Sequence, residues 1–132
     1  MSIQVMRGLL QSRLLTLGWA DQTAFEGRQF TPTPGVPYQE LTTVFNEPDA
    51  ITVAGSSMQR GLFQVRLLYP LSTAGIGPQT ARAEQIAALF PRNLRMTAAG
   101  VLVKVTREAH ITRGPPQGDR DVTVIRIRFS DR

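Results

Sequence analysis

Cysteine is absent from the sequence, and histidine occurs once, at His110. These absences exclude disulfides, thiol nucleophiles, cysteine-ligated zinc or iron–sulfur sites and polyhistidine metal sites. No apolar run approaches the ~20 residues that a membrane-spanning helix needs. The N-terminal residues also lack the charged-then-apolar order of a secretory signal. We therefore expect a soluble chain that has no metal or other cofactor, makes no membrane contact and is not exported by that route.

Catalytic signatures are also missing. Gly75-Ile76-Gly77 precedes a predicted helix, but it lacks the third glycine of a dinucleotide motif and the lysine of a P-loop, so it indicates a tight turn. Glu108 and His110 are two residues apart without a nucleophile or metal ligand, and we interpret His110 as an exposed strand-end residue. No serine has the context of a nucleophile elbow. The sequence predicts no enzyme.

Basic residues outnumber acidic ones. There are 15 arginines and lysines against 10 acidic residues, which gives a formal net charge of +5, and Lys104 is the only lysine. Arginine favours planar, bidentate contacts with carboxylates and phosphates, so the excess is compatible with nucleic acid or with charged protein interfaces. A codon-usage bias toward arginine explains the same count, and composition alone does not decide between them.

A chain of 132 residues has the size of one compact domain. Apolar residues at spacings of three and four predict helices, and alternating apolar residues predict strands. Gly18 is expected to end the first helix in the left-handed conformation. The pattern favours an α+β domain with two helices packed on one face of a mainly antiparallel β-sheet, with long projecting loops. The predicted helices are Ile3–Leu17 and Pro78–Phe90, and the predicted strands are Tyr38–Asn46, Ala50–Ala54, Leu62–Tyr69, Val101–Arg107 and Val122–Phe129.

Strand alternation predicts a basic sheet face. If the apolar residues of the predicted strands face the helices, alternation places four cations on the opposite face together with apolar residues such as Leu68 and Leu102. A mixed face of this kind is typical of a subunit interface or of a surface that passing nucleic acid touches, and a solvated face is the alternative. No aromatic residue is interleaved with the cations, which argues against base recognition. The candidate interface or lumen residues are Arg66, Lys104, Arg126 and Arg128.

Two long segments are predicted to be loops, Ala20–Pro37 and Glu108–Asp121. Loops of this length in a small domain are usually functional or disordered, so both are candidate assembly arms, with simple mobility as the alternative. Phe25 and Phe30 are also expected to anchor the first loop to the core. The candidate assembly-loop residues are Phe25, Phe30, His110, Arg113, Asp119 and Arg120.

A series of core and turn residues runs through the chain in a recognisable order. At its centre are Gly61-Leu62-Phe63-Gln64-Val65, Tyr69-Pro70, Gly75-Ile76-Gly77, Ala81-Arg82-Ala83-Glu84-Gln85-Ile86 and Phe90-Pro91. Trp19, Phe30-Thr31-Pro32 and Tyr38-Gln39-Glu40-Leu41 precede this block, and Gly100, Val101–Val105 and Phe129 follow it. In this order of residues the chain resembles the small tail terminator, or tail completion, proteins of long-tailed bacteriophages and prophages.

The resemblance covers nearly the whole chain and implies a structural virion protein rather than an enzyme. Proteins of this family are expected to assemble as a ring, typically of six copies, on the head-proximal end of the tail tube. The implied partners are further copies of the chain, the tail tube protein, the head connector and genomic DNA passing non-specifically through the lumen. The resemblance also implies assembly in the bacterial host cytoplasm and a final location in the virion tail. Another neck component, such as a head-closure or connector protein, is the alternative, followed by a small basic nucleic-acid-binding module.

Overall fold

A computed structural model describes residues 3–46, 49–50, 57–71 and 75–131 of the chain. Two helices and a curled, mainly antiparallel sheet make up the described part, which confirms the α+β prediction. In chain order the elements are α1 (Ile3–Leu15), a 3-10 turn (Ala20–Gln22), β1 (Thr23–Ala24), β2 (Tyr38–Phe45), β3 (Asp49–Ala50), β4 (Ser57–Met58), β5 (Arg60–Pro70), α2 (Gly77–Leu89), β6 (Arg95–Ala98), β7 (Val101–Val105), β8 (His110–Gln117) and β9 (Arg120–Ser130).

Helix α1 forms because its apolar residues recur on one face. Met6, Leu10 and Leu14 are four residues apart, and all three are buried. The helix ends two residues earlier than predicted, because the amide of Leu17 bonds to the carbonyl of Leu14 in a tighter 3-10 turn. Gly18 follows with a φ of 89°, the left-handed conformation expected of a helix-ending glycine.

Helix α2 begins as the sequence predicts, with Pro78 in its first turn, where a missing backbone donor costs little. Gly75 has a φ of 71° in the turn that precedes the helix. The Gly75-Ile76-Gly77 stretch is therefore a turn that starts a helix. Ala83 and Ile86 face inward from α2.

The larger sheet has seven strands in the described part of the chain, in the order β1-β2-β5-β9-β7-β6, with β8 also paired to β9. Only β1 and β2 run parallel, and every other pair in this sheet is antiparallel. Strand β9 changes partners along its length. Its first part pairs with β8 as far as Arg126, and its end pairs with β7 at Phe129 and Ser130. The sheet therefore divides beside Arg128.

The main core lies between the helices and one face of this sheet. The alternating apolar residues of the predicted strands face the helices, as expected, and Phe63, Ile125 and Ile127 are fully buried there. Phe63 and Phe90 pack with ring centroids 5.9 Å apart, which joins the sheet to the end of α2. The buried residues of this cluster are Met6, Leu10, Leu14, Leu41, Phe63, Val65, Leu67, Ala83, Ile86, Phe90, Val103, Val105, Ile125, Ile127 and Phe129.

A second, smaller apolar cluster lies on the other face of the sheet. Tyr38, Leu68, Val122 and Val124 are buried there, and Phe30 from the loop packs against them. The Phe30 and Tyr38 rings are 5.1 Å apart. The part of this face around Leu68 and Val124 is therefore covered by the chain's own loop. Leu68, which we expected on an interface, is buried within the chain.

The prediction of a loop over Glu108–Asp121 is wrong for most of its length. Residues 110–117 form β8, which pairs with β9 and is joined to it by a turn at Gly118-Asp119. The two adjacent prolines, Pro115 and Pro116, suggested a loop, but a register shift between Gly114 and Gln117 accommodates them. Prolines are tolerated at bulges and on edge strands because no ladder hydrogen bond needs their missing donors.

The first predicted loop is confirmed from residue 25 onward, where no helix or strand occurs before β2. Its opening residues form the 3-10 turn and β1, which the sequence analysis missed. Strand β6 was also missed. Of the predicted strand Ala50–Ala54, only Ala50 lies within the described residues, where it belongs to β3.

Candidate assembly surface

On the sheet face that points away from the helices, side chains of neighbouring strands form rows that run across the strands. Residues paired across antiparallel strands point to the same side, so the register fixes which side chains share this face. Along β5 and β9 the face changes from apolar to basic. The rows, from the apolar end to the basic end, are Tyr38-Leu68-Val122-Gly114, Glu40-Arg66-Val124-Thr112, Thr42-Gln64-Arg126-His110, Val44-Leu62-Arg128 and Arg60-Ser130-Lys104-Arg95.

Three of the four predicted interface residues, Lys104, Arg126 and Arg128, lie in the basic rows. Arg128 is exposed, whereas Lys104 and Arg126 are half-buried. Arg126 Nε donates a hydrogen bond to Gln64 Oε1 at 3.3 Å, across the strand pair. None of the three has an ion-pair partner among the described residues. Their charge is therefore available to a partner.

Arg66 differs from the other three. Its Nη1 lies 2.7 Å from Glu40 Oε2, and its Nη2 donates to Gln117 Oε1 at 2.9 Å. The side chains of Arg66 and Glu40 are 27% and 29% exposed. The charge of Arg66 is thus paired within the chain, at the border of the apolar cluster, and contributes little to the basic end of the face.

Where the sheet divides, the connection from β7 to β8 adds a further cation. The amide of Thr106 bonds to the carbonyl of Arg128 at 3.0 Å and so holds Arg107 beside it. One concavity of about 580 Å³ is lined by Arg60, Arg107, Arg128 and their neighbours. A second, of about 470 Å³, is lined by Arg107, Glu108, His110, Arg126 and Arg128. The two concavities share Arg107 and Arg128 in their walls, and we refer to them together as the arginine groove.

Arg120 was predicted to belong to a projecting loop, and that placement is wrong. It begins β9 and is 8% exposed. Its guanidinium donates to the carbonyl of Val36 at 2.6 Å and of Thr33 at 2.9 Å, and it lies 4.9 Å from the Tyr38 ring centre. Arg120 therefore ties the first loop to the sheet.

Phe25 and Phe30 anchor the first loop, as expected. Phe25 packs against the main core and carries Arg28 5.1 Å above its ring. Phe30 packs against the smaller cluster. Both rings are largely engaged within the chain, so an assembly role would have to come from the exposed backbone and polar residues around them.

The remaining assembly candidates are distributed along β8 and the turn that follows it. Arg113 Nη2 forms an ion pair with Asp121 at 2.8 Å, and Asp119 is exposed in the turn. His110 lies at the start of β8, opposite Arg126 and in the wall of the arginine groove. The structure thus separates His110 from Arg113 and Asp119.

A cluster of Trp19, Tyr69 and Arg82 joins α2 to the first loop. The Arg82 guanidinium lies 4.2 Å from the Trp19 ring centre and donates to the carbonyl of Leu17. Burial lowers the pKa of Arg82, and burial raises the pKa of Tyr69. Removal from water disfavours the charged form of each group.

The described residues include neither a metal-binding cluster nor a helix that could span a membrane. Within residues 3–46, 49–50, 57–71 and 75–131, no group of three or more His, Cys, Asp or Glu side chains could hold a metal ion. In the same ranges no helix is long and apolar enough to cross a membrane. The serines Ser56 and Ser72 lie outside the described residues.

A known protein family matches nearly the whole chain. The family model described as phage tail terminator protein matches residues 6–129. The chain belongs to the phage tail terminator protein family. This is a structural family of phage tails, which implies a non-enzymatic role, contact with the tail tube and a location in the virion tail.

A solved structure shares the fold of this tail terminator. It matches 100% of this chain and 96% of the other, with a TM-score of 0.74 and 25% sequence identity. No curated protein sequence matches the chain significantly. The family match over residues 6–129 confirms the resemblance drawn from core and turn residues.

Three further arginines belong to the basic surface of this tail terminator and were not predicted from the sequence: Arg60, Arg95 and Arg107. Arg60 and Arg107 stand at or beyond the ends of predicted strands, where alternation cannot be extended with certainty. Arg95 lies on the missed strand β6. The even spacing of Arg126 and Arg128 was the signal that led to this face.

Proposed function

We propose that this chain caps the head-proximal end of the tail tube as a homo-oligomeric ring, with six copies as the expected number. The ring would stop tube polymerisation and present the surface to which the head connector docks, and genomic DNA would pass through its lumen. The family match over residues 6–129 is the observation that carries this proposal. Assembly would take place in the host cytoplasm before the finished tail joins the head.

The geometry is compatible with a closed ring. A head-to-tail ring needs two different surfaces on each copy. The basic end of the sheet face and the helix-covered side are opposite surfaces of the same domain, and they differ in charge and shape.

Tail length tests the capping function. Particles produced without this chain should contain tubes longer than normal, because nothing stops the addition of tube subunits. Supplying the wild-type chain should restore a uniform length, which electron microscopy measures directly. Tubes of normal length in its absence, with only head attachment lost, would favour a head-closure or connector role instead.

Charge reversal tests the basic end of the sheet face in ring assembly. Arg126→Glu with Arg128→Glu should lower the yield of rings or of joined tails without unfolding the chain, because Arg128 is exposed and Arg126 is half-buried. Native mass across a series of protein and magnesium concentrations gives the ring yield. The control is Arg126→Lys with Arg128→Lys, which keeps the positive charge at the same two positions. Equal yields from the two variants would remove this face from the interface.

A further inference from the structure

The arginine groove has a composition that selects its ligand class. Arg60, Arg107, Arg126 and Arg128 line it, and Glu108 is the one acidic residue among the described residues of its lining. No ion pair within the described residues engages Arg107, Arg126 or Arg128. Clustered guanidinium groups of this kind attract an anion with several charges and bind its oxygens through planar donor pairs.

Among the described residues, the groove lining includes no exposed apolar or aromatic side chain. The other groove residues are polar or small, namely Asn46, Gly61, Thr106, His110 and Ser130, apart from Phe129, which is 1% exposed. Stable protein interfaces are centred on apolar or aromatic anchors, and the groove has no exposed anchor of this type. An extended ligand with evenly spaced negative charges fits better than an acidic protein segment.

The basic character extends beyond the groove in one direction. Lys104 and Arg95 continue the row that begins with Arg60, across β9, β7 and β6. Neighbouring strands are about 4.8 Å apart, so this row spans about 14 Å, the distance of three strand spacings. A row of this length can contact several successive charges of one polyanion rather than one isolated ion.

We infer that the arginine groove binds the phosphate backbone of double-stranded DNA without reading its sequence. Exposed aromatic residues for base stacking are missing from the groove and from the adjoining row, which leaves backbone contact as the mode of binding. Binding of this kind is weak at physiological salt, with a dissociation constant on the order of 10⁻⁴ to 10⁻⁶ M, and it lets DNA slide past the protein. Of the two roles expected for Arg126 and Arg128, subunit interface or lumen lining, the inference takes the second, because a groove covered by a neighbouring copy could not reach DNA. DNA binding by the chain does not itself depend on tube capping.

The test is the salt dependence of DNA binding. Fluorescence anisotropy of a labelled duplex of mixed sequence should give an affinity that falls with salt by about 0.9 log unit per log unit for each phosphate contacted. For four contacts the affinity should drop on the order of 100-fold between 50 and 200 mM salt. A second duplex of unrelated sequence should bind equally well.

Matched variants locate the site. Arg107→Gln with Arg128→Gln should reduce the salt slope by about 1.8, because two contacts are lost. Arg28→Gln with Arg113→Gln removes the same charge elsewhere and should leave the slope nearly unchanged. Arg107→Lys with Arg128→Lys keeps the charge and should retain most of the slope. All proteins are compared at concentrations where native mass shows one oligomeric state.

Several results would overturn the inference. These are no DNA binding by the wild-type chain at 50 mM salt, equal slopes for the groove and control variants, or tighter binding of polyglutamate than of the duplex at the same groove. Failure here is distinct from failure of the proposed function. A chain that regulates tail length but does not bind DNA contradicts the groove assignment alone, and a chain that binds DNA but does not affect tail length contradicts the capping role alone.

Discussion

Arg120 shows how one buried cation can organise a loop. Its two hydrogen bonds reach the carbonyls of Thr33 and Val36, more than 80 residues away in sequence, and it also covers the Tyr38 ring. Hydrogen bonds in such a place are strong because the guanidinium donor is charged and the site is largely removed from water. The loop that carries Phe30 is therefore part of the folded domain.

Arg120→Ala should lower the free energy of unfolding by about 2–3 kcal/mol, since it removes two charged hydrogen bonds and leaves two carbonyls without this donor. The matched control is Arg113→Ala. The side chain of Arg113 is 64% exposed, and exposed ion pairs contribute less than about 1 kcal/mol. Urea unfolding of both variants measures the difference, and equal losses would contradict the anchoring role of Arg120.

Gly61 is required by close packing. A Cβ atom at this position would lie 2.5 Å from Phe129 Cζ and 2.6 Å from the carbonyl oxygen of Val44. Gly61→Ala should therefore destabilise the chain by about 1–3 kcal/mol through overpacking. Gly8→Ala, in α1 with nothing within 4 Å, should instead stabilise it by about 0.5–1 kcal/mol. Thermal unfolding of the two variants should shift in opposite directions, and a tolerated alanine at position 61 would show that Phe129 can move.

Tyr69 makes stability depend on pH in the alkaline range. Burial raises its pKa above 10.0, so the folded state disfavours the phenolate. The stability that neutral Tyr69 contributes is fully present below the pKa of the tyrosine in the unfolded chain. It is lost as pH rises through the higher pKa of the folded state. The urea midpoint should therefore fall as pH rises above 10.0, and it should fall less for Tyr69→Phe. Some fall remains in the variant because the pKa of Tyr38 is also raised, mainly by burial. An identical fall in both proteins would contradict this origin.

Strand β8 changes how the second candidate assembly arm, Glu108–Asp121, should be tested. Shortening Glu108–Asp121 would remove a strand that pairs with β9, so its effect on docking could not be separated from unfolding. A change confined to the exposed turn is cleaner. Asp119→Lys should weaken docking to the tail tube if this turn contacts it, whereas Glu84→Lys, an exposed carboxylate on α2, serves as the control. Co-sedimentation with assembled tubes measures docking, and equal binding by both variants would exclude the turn.

Most elements could be predicted from the sequence because their apolar spacing is regular. Helix α1 and strands β5 and β9 bury residues at the expected periods of helix and strand. Strand β8 could not be found this way, because it is an exposed edge strand with two prolines and little apolar alternation. Strand β6 is short and mostly exposed, and it exists because it pairs with β7.

The basic face was predictable in part for the same reason. Alternation on β9 placed Arg126 and Arg128 correctly, because their neighbours Ile125 and Ile127 are unambiguous core residues. The ion pair of Arg66 with Glu40 depends on strand order, which one sequence does not reveal. The position of Arg107 depends on the division of the sheet beside β9, which is also a property of the tertiary fold.

The described part of the chain has three distinct surfaces. The helices cover the main core, the first loop covers the apolar half of the opposite sheet face, and the basic half of that face carries the exposed Arg128. The proposed ring needs surfaces for its own copies, for the tube and for the connector, and a lumen through which DNA passes. The proposed arrangement gives the open basic half to charged partners and leaves the β8–β9 turn for tube contact.

Electron microscopy of tails made without heads tests the central claim most directly. The chain, located with a bound antibody fragment, should lie at one end of each tail as a closed ring that continues the tube axis. Finding it at that end on headless tails would agree with a terminator that acts before head joining. Finding it only on heads, or finding tails whose tube ends carry no copy of it, would contradict the account.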